Sequence, residues 1–182
     1  MVIKKWDILN TEKVINHKWL DIEKHQVKIS EDTVIDDFFI IKRKNYVAII
    51  AEDKEDILFL KQYRHGIGDI CMNLPMGFLD ENETPEQAGK RELLEETGYE
   101  AESVKCLGEF YLAPSNMPTK SFVIHAKNIK QKLANFIDEK EGELELIRIP
   151  KKDINALILN GELKDISSIF ALMVFNSNIE KF

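Results

Sequence analysis

The sequence has few cysteines, no long apolar run and no excess of basic residues, and each shortage excludes a class of protein. Cys71 and Cys106 are the only cysteines among 182 residues, so we expect both to be reduced and buried, with a spacing that suggests no zinc site. No apolar run approaches the ~20 residues that a membrane-spanning helix needs. Residues 1–7 have no apolar core of the kind found in signal peptides. We therefore expect a protein of the cytoplasm that does not enter a membrane.

The charge balance is acidic. Asp and Glu number 32 against 25 Lys and Arg, which gives a net charge of −7 and a pI of about 5.2. Proteins that bind nucleic acids or anionic membranes usually carry basic patches, so neither partner is expected here. A small polyanionic ligand stays compatible with this charge if a metal ion supplies positive charge locally.

The order of apolar runs and turn signals predicts two parts, residues 1–44 and residues 45–182. The first is predicted to be a small antiparallel β unit with turns at residues 10–12 and 30–32, in which His25 is a surface group. Three strands cannot bury an apolar face alone, so this unit should pack on the main domain or on another subunit. In the second part, strands and helices alternate around a mixed sheet, which is typical of the α/β or α+β class. Strands are predicted at 46–51, 57–63, 101–113, 120–126 and 144–149, and helices from Pro150 to about residue 160 and after a cap at Asp165.

One helix is specified with unusual detail. Thr84 is a suitable N-cap, Pro85 suits the first helical position, and Gln87 lies three residues after the cap. Gly98 provides a stop, since glycine readily takes the left-handed conformation that ends many helices. These signals predict a helix over residues 85–97.

This helix carries Glu92, Glu95 and Glu96 on one face, because they are three and four residues apart. Like charges on one face repel, and the arrangement is retained most easily if a cation lies among them. Clustered carboxylates suit Mg²⁺, which usually joins one or two protein carboxylates to substrate phosphates. A solvated acidic face is the alternative and the commoner meaning of such clusters.

The stretch from Gly77 to Tyr99 resembles the Nudix box, the signature of the Nudix hydrolase family. The matching residues are Gly77, Glu83, Arg91, Glu92, Leu93, Glu95, Glu96, Gly98 and Tyr99. The resemblance implies the Nudix fold, a mixed sheet between helices. Outside the box, the N-terminal β unit, the strand ending at Arg64 and the position of Pro114 resemble the branch of ADP-ribose pyrophosphatases and other nucleoside-diphosphate-sugar hydrolases. In that branch the N-terminal unit commonly joins two subunits, so a homodimer is implied.

The resemblance also assigns roles in a metal-dependent hydrolysis. Glu92 and Glu96 would bind Mg²⁺, or Mn²⁺ as a substitute, with Glu95 as a further ligand or support and the carbonyl of Met76 completing the set. Arg91 would pair with a box glutamate, plausibly Glu83, which could equally be purely structural. The general base would come from a later acidic loop, where Glu141 is preferred over Glu139 and Glu143, although most residues of such a loop are simply solvated. Substrate contacts are expected from Arg64, Arg43, Pro114 and Asn116, while either arginine could instead be a surface group.

Two departures from the branch leave the substrate open. Asn73 occupies a position where many members carry Glu, and the loop after Pro114 reads Ser-Asn-Met instead of containing glycine. ADP-ribose is the first expected substrate, and GDP-mannose or another nucleotide sugar is the second. Two alternatives of other classes are a module that senses a nucleotide without cleaving it and a structural dimer with a vestigial box.

Overall fold

The computed structural model of the protein describes residues 3–133 and 143–179. Its strands are β1 (Asp7–His17), β2 (Leu20–Lys28), β3 (Val34–Lys42), β4 (Tyr46–Asp53), β5 (Asp56–Arg64), β6 (Asp69–Asn73), β7 (Met76–Phe78), β8 (Tyr99–Ala113), β9 (Met117–Gln131) and β10 (Leu144–Pro150). Its helices are α1 (Pro85–Thr97), a 3₁₀ turn (Lys151–Asp153), α2 (Ile154–Leu159) and α3 (Ile166–Ile179). No helix among these residues is both long and apolar enough to span a bilayer.

The chain divides into two compact units, of which the first comprises residues 1–45 and 110–120. Strands β1, β2 and β3 form an antiparallel sheet there. The turn predicted at residues 10–12 is wrong, because β1 continues through them and the chain reverses only at residues 18–19. The pairing of β1 with β2 shifts register after Ile8 and after Lys13. A β-bulge takes up an extra residue without reversing the chain, so polar residues that suggested a turn are accommodated within the strand.

The second unit comprises residues 46–109 and 121–182 and contains a mixed sheet. The strand order is β10-β5-β4-β9-β8, with β6 beside β5 and β7 beside β4. Strands β4 and β9 are parallel, whereas β5 is antiparallel to β4, β6 and β10. The sequence did not indicate β6, a five-residue strand whose first two residues are exposed.

Strand β4 is the centre of this sheet and is buried on both faces. Val47, Ile49 and Ala51 pack in one apolar cluster with Ala88 and Leu93 of α1. Neighbouring residues of a strand point to opposite faces, and α3, which contributes nothing to that cluster, also contacts β4. Helices therefore cover both faces, as predicted for a mixed sheet between helices.

Helix α1 begins and ends where the sequence predicted. The Gln87 amide donates to Thr84 Oγ1 (3.2 Å), and the Thr84 amide donates to Gln87 Oε1 (2.9 Å), which is a reciprocal capping box. Gly98 has a φ of 73°, and its amide donates to the Leu94 carbonyl. Within the helix, Gly89 allows close packing, because a Cβ there would lie 2.8 Å from Ile124 Cγ2 of β9.

The first turn of α3 fixes the segment that precedes β7. Asp165 caps α3, since its Oδ2 accepts from the Ser168 amide and from Ser168 Oγ, both at 2.7 Å. The fully buried Ser168 Oγ in turn accepts from the Leu74 amide at 2.8 Å. The path of the backbone into Met76 and Gly77 is thus set by a helix distant in sequence.

Candidate active site

Arg91 of α1 lies at the centre of an acidic cluster that contains Glu83, Glu92 and Glu95. Its Nε and Nη2 donate to the two carboxylate oxygens of Glu83, each at 2.9 Å, and Nη2 also donates to the Phe78 carbonyl at 2.9 Å. Its Nη1 donates to Glu92 Oε1 (2.7 Å) and Glu95 Oε2 (3.0 Å). The planar guanidinium, with five donors in a fixed fork, is suited to such an arrangement. Arg91 thus joins the loop before α1 to two glutamates of the helix face.

Within this cluster, Arg91 and Glu83 each stabilise the charged form of the other. The pKa of Arg91 is raised, first by its hydrogen bonds to Glu83 and then by Glu92 and Glu95, against the opposing effect of partial burial. The pKa of Glu83 is lowered, chiefly by the hydrogen bonds from Arg91. The cation that the like-charged helix face requires is therefore present within the chain.

Replacing Glu83 with Gln should make the free energy of unfolding less dependent on pH in the acidic range. The Glu83 pKa is depressed below its usual value of 4.5, so ionised Glu83 stabilises the fold above that pH, and this stabilisation is lost as the pH falls through the lower, folded-state pKa. Urea unfolding of the wild type should show a free energy of unfolding that falls as the pH drops below about 5. The Glu83→Gln protein should start less stable and fall less over that range.

Glu81→Gln is the matched control, because Glu81 lies exposed in the same loop. Its unfolding curves should follow those of the wild type. If Glu83→Gln keeps the full acid dependence of the wild type, the Arg91–Glu83 pair does not contribute in this way.

Glu92 and Glu96 lie against one dipeptide, Met76-Gly77. The Met76 amide donates to Glu96 Oε2 at 2.8 Å. A Cβ on Gly77 would lie only 1.8 Å from Glu92 Cδ and 2.1–2.2 Å from its oxygens. Both glutamates are buried, with 9% and 6% of their surface exposed. Glycine at position 77 therefore makes the space that the Glu92 carboxylate occupies.

These residues provide the oxygen donors that a hard divalent cation binds. No three His, Cys, Asp or Glu side chains within residues 3–133 and 143–179 are already gathered as a metal site. Two buried carboxylates, Glu92 and Glu96, next to the Met76-Gly77 backbone nevertheless fit such an ion in chemistry. The predicted ligands Glu92, Glu95, Glu96 and Met76 stay a prediction.

Arg64 ends β5 and is exposed at the rim of the second unit. Its Nη2 lies 3.4 Å from Asn73 Oδ1, at the end of the neighbouring strand β6. Sequence reasoning gave Asn73 only as a departure from the family pattern and missed this contact. Pairing of β5 with β6 is what brings the two residues together, and β6 itself had no clear sequence signal.

Pro114 and Asn116 lie in the first unit, where they line a cavity of about 570 Å³. Arg43 also belongs to this unit and is exposed, and its carbonyl accepts from Thr119 Oγ1. Two predicted substrate residues thus share a concave surface within that unit. The role of all three in binding stays a prediction.

The same cavity contains a charged group that the sequence did not reveal. Glu23 is buried, with one carboxylate oxygen 2.5 Å from Lys42 Nζ and the other 3.0 Å from His25 Nε2. The expectation that His25 is a surface group is wrong, since only 13% of its side chain is exposed. The spacing of Glu23 and His25, two residues apart on a strand, is the signal that could have placed them on one face.

The two residues predicted first as general bases, Glu141 and Glu139, lie outside the described residues. Glu143, the third acidic residue of that segment, is described and is exposed.

Comparisons with known proteins agree with the fold. The NUDIX domain model matches residues 42–166. The ADP-sugar pyrophosphatase of Mus musculus is 34% identical over 110 residues, which are 55% of this chain and 48% of that protein, so the chain spans about half the length of that relative. The GDP-mannose pyrophosphatase of Yersinia enterocolitica is 25% identical over 172 residues, 88% of this chain and 90% of that protein.

A solved structure described as an ADP compounds hydrolase superposes with a TM-score of 0.88 over 100% of this chain and 97% of that one. At 20% identity this match shows the shared fold alone. The family match, by contrast, extends over most of the chain and includes β4 to β10, α1 and, among the described residues, those that hydrogen-bond Arg91. The chain therefore belongs to the NUDIX domain family.

Proposed function

We propose that the protein hydrolyses the diphosphate bond of a nucleoside diphosphate sugar, with ADP-ribose as the first substrate to test. The observation that carries this proposal is a pair of buried carboxylates, Glu92 and Glu96, beside Met76-Gly77. Arg91 donates a hydrogen bond to one of them, Glu92. Relatives described as ADP-sugar and GDP-mannose pyrophosphatases support the substrate class. GDP-mannose is a second candidate, because the relatives so described align over 88% of this chain.

A diphosphate is anionic, so it repels hydroxide and needs positive charge at its oxygens before water can attack. When bound, a divalent ion such as Mg²⁺ would supply that charge and make the attacking water more acidic. In this chain, Glu92 and Glu96, supported by Glu95, would hold the ion. Arg91 and Glu83 keep Glu92 and Glu95 in place, a supporting role that fixes ligand orientation.

The remaining steps require a general base and residues that bind the substrate. Water adds its oxygen to one phosphorus, its proton passes to the base, and the bridging P–O bond breaks to give a nucleoside monophosphate and a sugar phosphate. Arg64 would bind a diphosphate oxygen, for which the geometry of its guanidinium is suited. Pro114, Asn116 and Arg43 remain proposed substrate contacts.

Glu141 is our first choice for the base. Glu141→Gln should lower kcat by about 10²–10⁴-fold, the usual contribution of a general base, because the amide cannot take up the proton. Its metal affinity, measured by calorimetry, should stay near that of the wild type. Glu139→Gln is the comparison variant, and a large loss of kcat in that protein alone would transfer the role to Glu139.

The proposed function is tested by a screen of about a dozen nucleoside diphosphate sugars with Mg²⁺ and with Mn²⁺. Release of a nucleoside monophosphate, separated by chromatography, is the expected result. Tight nucleotide binding without turnover of any compound would favour a sensing module. Absence of both would favour a structural role.

We also propose that the protein is a homodimer joined through β1. All eleven residues of β1 are exposed, including Ile8, Leu9, Val14 and Ile15. Apolar side chains on an exposed strand are typical of an interaction surface. Light scattering should give twice the chain mass of 21.1 kDa, and Leu9→Glu with Val14→Glu should give the monomer mass.

A further inference from the structure

Asn73 is a buried polar residue at the end of β6, with 2% of its surface exposed. Its Oδ1 accepts from Gln62 Nε2 at 3.2 Å and from Arg64 Nη2 at 3.4 Å. Its Nδ2 donates to the Leu74 carbonyl at 2.7 Å. One side chain thus links two residues of β5 to the backbone that leads into β7.

An amide can make this set of contacts, and an ionised carboxylate cannot. The group must accept on one atom and donate on the other, and Asn provides both, whereas an ionised Asp only accepts. A carboxylate at this position would place an oxygen against the Leu74 carbonyl and leave that short contact without a proton. It would also bring a negative charge next to Arg64.

The backbone of Arg64 is fixed independently of its side chain. The Ile67 and Gly68 amides donate to the Arg64 carbonyl at 3.1 and 3.0 Å, within the turn between β5 and β6. Among the described residues, Asn73 is the side chain that hydrogen-bonds the Arg64 guanidinium. Because that partner is neutral, the positive charge of Arg64 is oriented without being cancelled.

We propose that Asn73 is a positioning residue for Arg64, which holds the guanidinium in place while leaving its charge available to an anionic diphosphate. The link continues beyond Arg64, because Leu74, the carbonyl partner of Asn73, is held through its amide by Ser168. Arg64 is thereby tied to the same stretch of backbone that carries Met76 and Gly77. This assignment rests on the proposed function, in which Arg64 contacts the diphosphate.

The test compares Asn73→Asp with the wild type, using nucleotide-sugar kinetics and calorimetric titration with ADP. KM and the Kd of ADP should each rise about tenfold, because Arg64 would pair with the new carboxylate, while kcat changes less than about threefold. Adenosine, which lacks the diphosphate, should bind both proteins equally. Asn176→Asp is the matched control, since it makes the same change of charge at an exposed position of α3.

The same substitution in an Arg64→Ala background separates positioning from a general structural effect. There, Asn73→Asp should change the Kd of ADP less than about twofold, because the group it acts through is gone. An equal factor in both backgrounds, or an unchanged Kd in the single variant, would overturn the assignment.

Thermal unfolding of each protein checks that it is folded. If Asn73→Asp does not fold, Asn73→Ala removes the contacts without adding charge and should weaken ADP binding about threefold in the wild-type background only. ADP titration requires no turnover, so a protein that binds ADP in this Asn73-dependent way yet hydrolyses no nucleotide sugar would reject the proposed reaction and keep the positioning role.

Discussion

Glu96→Gln is expected to lower hydrolysis of the best nucleotide sugar by about 10²–10³-fold while the protein stays folded. The loss follows from removing one negative charge from the proposed metal ligands, which weakens the hold on the ion that stabilises charge in the transition state. The fold should persist because the amide oxygen of Gln can still accept from the Met76 amide, as Glu96 Oε2 does at 2.8 Å. Steady-state kinetics, calorimetric Mn²⁺ binding and thermal unfolding measure the three quantities.

Glu86→Gln provides the matched control on the same helix. Glu86 Oε1 accepts from the Cys106 amide at 3.2 Å, a contact that Gln can also make, and Glu86 has no part in the Arg91 cluster. Its activity and Mn²⁺ affinity should equal those of the wild type. An active Glu96→Gln protein with unchanged Mn²⁺ affinity would remove Glu96 from the proposed metal ligands.

Gly77→Ala should also lower activity strongly. The cause here is steric overlap, since the substitution changes no charge. The added methyl group would overlap the Glu92 carboxylate, whose carbon would be 1.8 Å away. Either Glu92 moves away from Arg91 Nη1, to which it is bonded at 2.7 Å, or β7 shifts. We expect activity to fall about 10²-fold, since small misplacements of a site group have that cost, and stability to fall by about 1–3 kcal/mol.

Gly66→Ala tests whether the loss is specific to crowding. A Cβ at Gly66 would have no atom within 4 Å, so this variant should retain both activity and stability. Urea unfolding and kinetics are measured on both proteins. Full activity in Gly77→Ala would show that Glu92 can act from a displaced position.

The sequence was most informative where structure is decided locally. Thr84, Gln87 and Gly98 determine both ends of α1 by contacts within one turn, and the observed limits match the predicted ones. The apolar residues 46–51 likewise indicated a strand, and β4 includes all of them. The family signature could be recognised because its residues have fixed spacing within one loop and helix. The resemblance then implied the fold of the second unit.

The sequence was least informative where distant segments meet. Strand β6 exists because β5 offers it a pairing edge, and the contact of Asn73 with Arg64 follows from that pairing. The buried Glu23 in the first unit depends on Lys42 from another strand. At residues 10–12, local polarity suggested a turn, but bulges let β1 keep its pairing with β2, so tertiary context prevailed over local preference.

The bond between Ser168 and Leu74 has a consequence for the order in which the molecule is completed. The two residues are 94 positions apart. At ~5–20 residues per second, a ribosome therefore adds Ser168 roughly 5–20 s after Leu74. During that interval the nascent chain can build β4, α1 and β9, yet the segment before Met76 has no α3 to anchor it. Catalytic competence should therefore arise late in synthesis, after much of the sheet has already formed.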